Sequence, residues 1–250
     1  MTDFINILDT KSREYGIKLS QEQLAAFDIY YNLLIEFNQK VNLTALTAPE
    51  DVAVKHIIDS LSCFDKDLFL DQTTVLDLGT GAGFPGMPLK IFYPNLKLTL
   101  VDSLKKRLNF LEEVISTLQK TNNLGDIAKG MNEITLVHSR AETLGKNKTY
   151  RESQDIVVSR AVAKLSVLSE YCLPLVKQNG CFVALKGANL EEELKEAEKA
   201  INILGGTVFK TQNIVLPDLP DKRFIVYIKK IKETPSQYPR REGIPEKKSL

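Results

Sequence analysis

Residues 75–86 read Val75-Leu76-Asp77-Leu78-Gly79-Thr80-Gly81-Ala82-Gly83-Phe84-Pro85-Gly86. An apolar run passes straight into a turn with four glycines in eight residues, and a helical pattern follows. Glycine lets the backbone turn sharply and lets a ligand approach main-chain atoms without a Cβ in the way. Pro85 suits the first turn of the following helix, where a missing N–H does no harm. About 20 residues further on, a second apolar run ends in Asp102. In an open α/β sheet, ligands lie outside the carboxyl ends of the strands. A carboxylate there can accept hydrogen bonds from both hydroxyls of a ribose, so the turn and Asp102 read as a site for a nucleoside-containing cofactor.

The pattern around this turn supports such a sheet. Strands are expected at 74–78, 97–101, 134–138, 155–159 and 181–186. Helices are expected near 85–92, 104–120, 165–176 and 190–204, which makes a parallel sheet with helices on both faces. After Gly205-Gly206, two further strands at 207–216 and 223–231 are joined by a Pro-Asp-Leu-Pro-Asp turn and read as a hairpin. The expectation is therefore seven strands, the last inserted antiparallel. Upstream, residues 1–64 read as helical. Ser20 and Gln23 form a capping-box signature, the helix they open runs to about Lys40, and Pro49 starts another. Residues 121–133 read as a long loop. The layout expected is a helical extension over 1–70, an α/β core over 71–232 and a basic, largely irregular tail over 233–250.

Composition narrows the function classes. At 250 residues with 43% hydrophobic and 26% charged residues, the chain can bury a core without disulfide or metal staples. No apolar run approaches the ~18 residues of a membrane span, and the N-terminus has no secretory signal pattern. Cys63, Cys172 and Cys181 form no CxxC pair, and only two histidines, His56 and His138, occur. A disulfide framework and a metal site are not expected, and a cytoplasmic, non-membrane protein is. Monomer is the default. The net charge of +1 hides an asymmetry, with residues 1–70 carrying −5 and residues 222–250 carrying +6. Such a basic end can attract a polyanion or simply keep the chain solvated.

Which nucleoside binds is open on local pattern alone. Gly81 to Gly86 satisfies GxGxxG, so an NAD(P)-dependent oxidoreductase on a Rossmann-like fold must be weighed. Asp77, two residues before the first glycine, favours S-adenosylmethionine. A carboxylate repels a pyrophosphate and attracts the ammonium of a methionine moiety. The terminal hairpin favours the same choice. A third reading is a non-catalytic nucleic-acid-binding or assembly module that keeps the fold.

The chain resembles the bacterial RsmG (GidB) family of 16S rRNA guanine-N7 methyltransferases over almost its whole length. The resemblance rests on Asn42-Leu43-Thr44, His56-Ile57-Ile58-Asp59-Ser60-Leu61, the glycine-rich stretch, Val158-Ser159-Arg160-Ala161-Val162-Ala163, Leu185-Lys186-Gly187 and Tyr238-Pro239-Arg240-Arg241-Glu242-Gly243-Ile244-Pro245. It implies a class I S-adenosylmethionine-dependent methyltransferase fold. It also implies methyl transfer to N7 of one guanosine near the decoding region of 16S rRNA, with the rRNA or the 30S subunit as partner. Gly79, Gly81 and Phe84 match the cofactor loop, Asp102 the ribose-binding acid, Ala141 and Glu142 the pair at the adenine, and Arg160 a cofactor-site arginine.

Guanine N7 is a lone pair without a proton, so no general base is expected and catalysis is expected to be placement. Positioning candidates are His56 and Asp59, three apart on one helix, and Lys186 at the end of the fifth strand, which reads either as a contact to an rRNA phosphate or as a solvated lysine. Each has a plain structural alternative. Asn42 and Thr44 read as caps of the next helix or as contacts to the target nucleotide. Arg240 and Arg241 are candidate RNA phosphate contacts, and Tyr238 a candidate base-stacking residue. The run Lys105-Lys106-Arg107 reads as a solvated helix face.

Overall fold

The computed structural model describes residues 2–160 and 163–250. In chain order the elements are α1 (Asp3–Tyr15), α2 (Gln21–Val41), α3 (Pro49–Asp51), a π-helical stretch Val52–Ile58, α4 (Asp59–Leu61), β1 (Thr74–Leu78), α5 (Gly86–Phe92), β2 (Lys97–Asp102), α6 (Lys105–Lys120), α7 (Asp126–Gly130), a 3-10 turn Met131–Glu133, β3 (Ile134–His138), α8 (Ala141–Leu144), β4 (Gln154–Ser159), α9 (Leu165–Cys172), β5 (Val176–Lys186), α10 (Leu190–Ile203), β6 (Gly206–Ile214), β7 (Arg223–Lys230) and α11 (Ile244–Lys247). The strands form one seven-stranded sheet in the order β3-β2-β1-β4-β5-β7-β6. β2 pairs with β3, and β1, β4 and β5 with one another, in parallel; β7 runs antiparallel to β5 and β6. This is the expected class I methyltransferase sheet, with its strand order reversing at β1 and β4.

The chain divides into two compact units. The first gathers Met1–Thr73, Thr80–His138 and Leu216–Pro220; the second gathers Thr74–Gly79, Ser139–Val215 and Asp221–Leu250. In the first unit, helix boundaries follow local chemistry. The Thr2 side chain caps α1, and Gly16 closes it in the left-handed conformation. Ser20 and Gln23 satisfy each other's backbone N–H groups at the start of α2, as a capping box should. α2 buries Leu24, Phe27, Tyr30 and Leu34. Tyr30 stacks on Phe84 and Phe110, and Phe4 stacks on Tyr31. In the second unit, β4, β5 and β7 bury near-continuous apolar runs, among them Val157, Phe182, Val183 and Ile228. Such runs mark strands covered on both faces.

Three expectations need correction. Residues 121–133 are not a loop, because Asp126–Gly130 forms a short helix anchored by buried Leu124, Ile127 and Met131. A one-turn helix is too short to show a period. It also needs Gly130, where a Cβ would lie 2.7 Å from the Pro94 carbonyl oxygen. α9 stops at Cys172, two residues before Pro174, and β5 begins at Val176 rather than 181. After buried Val176 its residues 177–179 are exposed, with Asn179 at φ 66°, so this stretch lacks the apolar alternation that marks a strand. The helix that starts at Pro49 is not regular α, since Val52–Ile58 is π-helical. No helix among the described residues is long and apolar enough to cross a membrane.

Candidate functional site

In the first unit the glycine turn is tied down from both sides. The Thr80 N–H donates to the Val101 carbonyl (3.0 Å), and the Gly83 and Phe84 N–H groups return to the Thr80 carbonyl (2.9 Å each). The buried Asp102 carboxylate, 2% exposed, holds the turn to the end of β2. Its Oδ2 accepts from the Gly81 N–H (2.9 Å) and from Arg107 Nη1 (3.2 Å), and its Oδ1 accepts from the Leu104 N–H (2.8 Å). Arg107 is therefore not part of a merely solvated face. It lies five residues past the acid, at the start of α6, and its guanidinium folds back onto it.

Three glycines in this segment have positive φ, but they serve differently. Gly83, at φ +100°, faces packed side chains: a Cβ there would sit 2.5 Å from Tyr30 Oη and 2.8 Å from both Leu111 Cδ2 and Met87 Cγ. Gly81 (φ +61°), and Gly79 (φ +75°) at the end of β1 in the second unit, would each project a Cβ where no described atom lies within 4 Å. Their main chain is open to an approaching ligand.

Phe84 carries a second layer of support. The His56 ring stacks on it with centroids 4.5 Å apart, and His56 Nε2 lies 2.9 Å from Thr44 Oγ1. Thr44 is held in turn by Asn38, whose Oδ1 accepts from the N–H groups of Leu43 (2.6 Å) and Thr44 (2.9 Å). Neither Asn42 nor Thr44 caps the helix that follows, because that position falls to Ala48. Asn42 instead ends α2 in the left-handed region at φ 41°. Asp59 is buried at 4% exposure; its charge adds to burial in pushing the Tyr15 phenol's pKa up.

The second unit holds the remaining candidates. Asp77 is fully buried in β1, and its charge reinforces the burial that raises the Cys172 thiol well above its usual range. The Ser159 hydroxyl donates to the Leu78 carbonyl (3.0 Å), joining the ends of β4 and β1. Arg160 follows directly, half-buried. Of the neighbouring matched motif, Ala161 and Val162 lie outside the described residues. Ala141 opens α8, and Glu142 beside it is 7% exposed. Glu142 Oε1 accepts from the Tyr171 hydroxyl (3.3 Å) and the Gly243 N–H (3.1 Å). No described residue bonds its Oε2. Burial first, and then the Glu142 charge, raise the Tyr171 phenol's pKa.

Three candidates are placed differently from expectation. Lys186 is neither solvated nor open to a phosphate. Its Nζ is 2.7 Å from Glu193 Oε2 and donates to the Ala163 carbonyl (2.8 Å), with the side chain 5% exposed. Arg240 is spent on Glu170, a buried carboxylate that takes its guanidinium from two nitrogens (2.6–3.1 Å). Tyr238 is buried at 8% exposure and cannot stack on a base as it stands. Among the three tail candidates Arg241 remains exposed. Sequence reading missed Glu170, although it was visible as a lone charge inside the apolar run Leu165-Ser166-Val167-Leu168-Ser169-Glu170-Tyr171-Cys172. Such a group has to find a partner when buried.

In the first unit, the open main chain at Gly81 and the spare lone pair on Asp102 Oδ1 suit a ligand with hydroxyl groups; in the second, the open main chain at Gly79 and Glu142 Oε2, which no described residue bonds, suit one with an amino group. A model of the family described as rRNA small subunit methyltransferase G matches residues 23–220. A protein named ribosomal RNA small subunit methyltransferase G from Desulforamulus reducens is 50% identical over 250 residues, all of both chains. Proteins of the same name from Lactobacillus johnsonii (48% over 95% of each chain) and from Geobacillus (47% over 96% of this chain and 97% of that one) are similarly close. Among solved structures, a 16S rRNA (adenine(1408)-N(1))-methyltransferase from Catenulisporales acidiphilia, determined with its cosubstrate S-adenosylmethionine, is 15% identical. It covers 65% of this chain and 87% of its own with a TM-score of 0.50, a likeness of fold. By the family match and the full-length relatives together, the chain belongs to the rRNA small subunit methyltransferase G family and uses S-adenosylmethionine.

Proposed function

We propose that this methyltransferase acts on N7 of one guanosine in 16S rRNA near the decoding region, as part of the small ribosomal subunit. Family membership over the full chain carries the reading and sets the oxidoreductase alternative aside. S-adenosylmethionine supplies an electrophilic methyl group. Guanine N7 presents a lone pair on the major-groove edge and has no proton to lose. The protein's task is then to hold donor and acceptor in line, which can supply much of the barrier reduction without acid–base chemistry. In this reading Gly79, Gly81 and Phe84 form the cofactor loop, Asp102 takes the ribose hydroxyls, Ala141 and Glu142 take the adenine, and Arg160 completes the set. His56 and Asp59 position the loop and its helix. Arg241, with exposed Lys247 and Lys248, meets RNA phosphate. Residues 1–70, 71–232 and 233–250 act as helical extension, catalytic core and tail of a cytoplasmic monomer.

The test is methyl transfer. Incubation with methyl-tritiated S-adenosylmethionine and 30S subunits from cells lacking the endogenous guanine-N7 activity should yield labelled 7-methylguanosine at one site after digestion. Label in another nucleoside would overturn the N7 assignment. Full cofactor binding without any label would support the assembly-factor reading instead.

The ion pair at Asp102 makes a second expectation. Arg107 is about a third exposed, so its pair with Asp102 is worth at most about 1 kcal/mol. It occupies an oxygen that ribose hydroxyls need. Arg107→Ala should therefore raise affinity for S-adenosylhomocysteine by up to about fivefold, measured by calorimetry. A tenfold fall would instead make Arg107 a direct cofactor contact.

A further inference from the structure

The basic tail is fastened to the neighbourhood of Glu142 by a dense set of polar contacts. Arg151 Nη1 donates to the carbonyls of Gly145 and Tyr238 (2.8 Å each), and its Nη2 donates to the Thr234 carbonyl (2.7 Å). Arg140 pairs with Glu242 at 3.3 Å, and the Thr143 hydroxyl donates to the same carboxylate at 3.3 Å. The Pro239 ring packs so closely on Gly145 that a Cβ there would lie 2.8 Å from it. Arg240 then anchors the segment from the other side. Its backbone N–H (2.8 Å) and its guanidinium both bond Glu170, which has no exposed surface. A bidentate arginine on a buried carboxylate fixes position as well as charge.

The chain emerging from that anchor delivers one group to Glu142. Three residues beyond Arg240, Gly243 adopts φ +71° and turns its N–H onto Glu142 Oε1. Tyr171, next to Glu170 on α9, donates to the same oxygen. Both donors converge on Oε1, while Oε2 has no hydrogen bond from any described residue although the residue is more than nine-tenths buried. One oxygen is held and the other is presented.

We infer that segment 238–243 is a positioning element of the cofactor site, which through Arg240 and Gly243 aims Glu142 Oε2 at the exocyclic amino group of the adenine. The inference rests on the proposed adenine role of Glu142 and adds a task for the tail other than gripping RNA. Arg240 and Gly243 are positioning residues; Glu142 makes the contact.

The test compares binding of S-adenosylhomocysteine with that of S-inosylhomocysteine, which carries a carbonyl where adenine carries the amino group. The full-length chain should prefer the adenine compound, and Glu142→Gln should reduce that preference about tenfold, the worth of one charge-assisted hydrogen bond. The paired change Glu170→Gln with Arg240→Gln keeps a polar hydrogen-bonding group at each position and leaves no buried charge uncompensated. It should reduce the preference by a similar factor, with the melting temperature showing that the fold persists. Should that pair fail to fold, Arg240→Lys, which keeps the charge but loses the planar fork, should show the same direction with smaller size. An equal loss of affinity for both compounds would mean general structural support and overturn the inference. So would a wild-type preference in the tail variants alongside a reduced one in Glu142→Gln. An unchanged preference in Glu142→Gln would overturn the adenine role of Glu142, and the inference with it.

Discussion

Asp102→Ala should weaken S-adenosylhomocysteine binding at least about 100-fold while leaving a folded protein. Hydrogen bonds to a charged acceptor contribute about 1.5–3 kcal/mol each, and two ribose hydroxyls would lose theirs. Even the low end, about 3 kcal/mol together, exceeds a factor of 100 in affinity. The carboxylate also bonds the Gly81 and Leu104 N–H groups, so the turn loses its tie to β2 as well. Both effects act on the same site and in the same direction. Arg107 is partly exposed and can turn to water once its partner is gone, which limits the cost to the fold. Calorimetric titration with a thermal melt on the same sample separates the two quantities. A loss below tenfold with normal melting would mean that the ribose is held elsewhere.

Gly83→Ala should be the most damaging small substitution in the glycine segment, and its damage should fall on stability. The added Cβ would meet Tyr30 Oη at 2.5 Å and Leu111 and Met87 at 2.8 Å, all within a buried cluster. Overpacking costs about 1–3 kcal/mol, and forcing a non-glycine residue to φ +100° adds about 1–2 kcal/mol. The hydroxyl of Tyr30 that donates to the Ala82 carbonyl stands in the way, so that bond goes too. With about 1 kcal/mol for that bond, the total is about 3–6 kcal/mol, a large share of a typical domain's stability. Gly79→Ala and Gly81→Ala meet open space and carry only the backbone cost of about 1–2 kcal/mol. They should melt close to the parent and lose cofactor affinity instead. Denaturant titration of all three alongside binding would show the division. Equal destabilisation by all three would remove it.

The sheet was legible because β1, β2, β4, β5 and β7 carry buried apolar residues bounded by turn residues, and because β1 runs into a glycine-rich turn with three positive φ angles. Asp102 was legible for the same reason, as a charged residue ending an apolar strand. What escaped reading has no period. α7 is one turn long and is held by three anchors. Near its start β5 carries the exposed run Lys177, Gln178 and Asn179. The partners of charged residues were also hidden, since they lie far apart in sequence: Arg240 finds Glu170 across 70 positions. That is why Arg240 looks like an RNA contact in a string of letters, while its charge is met inside the protein.

The widened turns over Val52–Ile58 bear on how this family tolerates changes of length. A π-helical stretch holds about one residue more than an α-helix closing the same span. Deleting a single residue such as Val54 would let the helix tighten to regular α with its two ends kept nearly in phase, while the side chains inside the stretch, His56 among them, would change direction by up to roughly 100°. The stacking of His56 on Phe84 depends on that phase. A one-residue gap between Pro49 and Asp59 in a related chain is therefore a marker to look for. A chain that carries one should fill the space beside its Phe84 counterpart with something other than an imidazole.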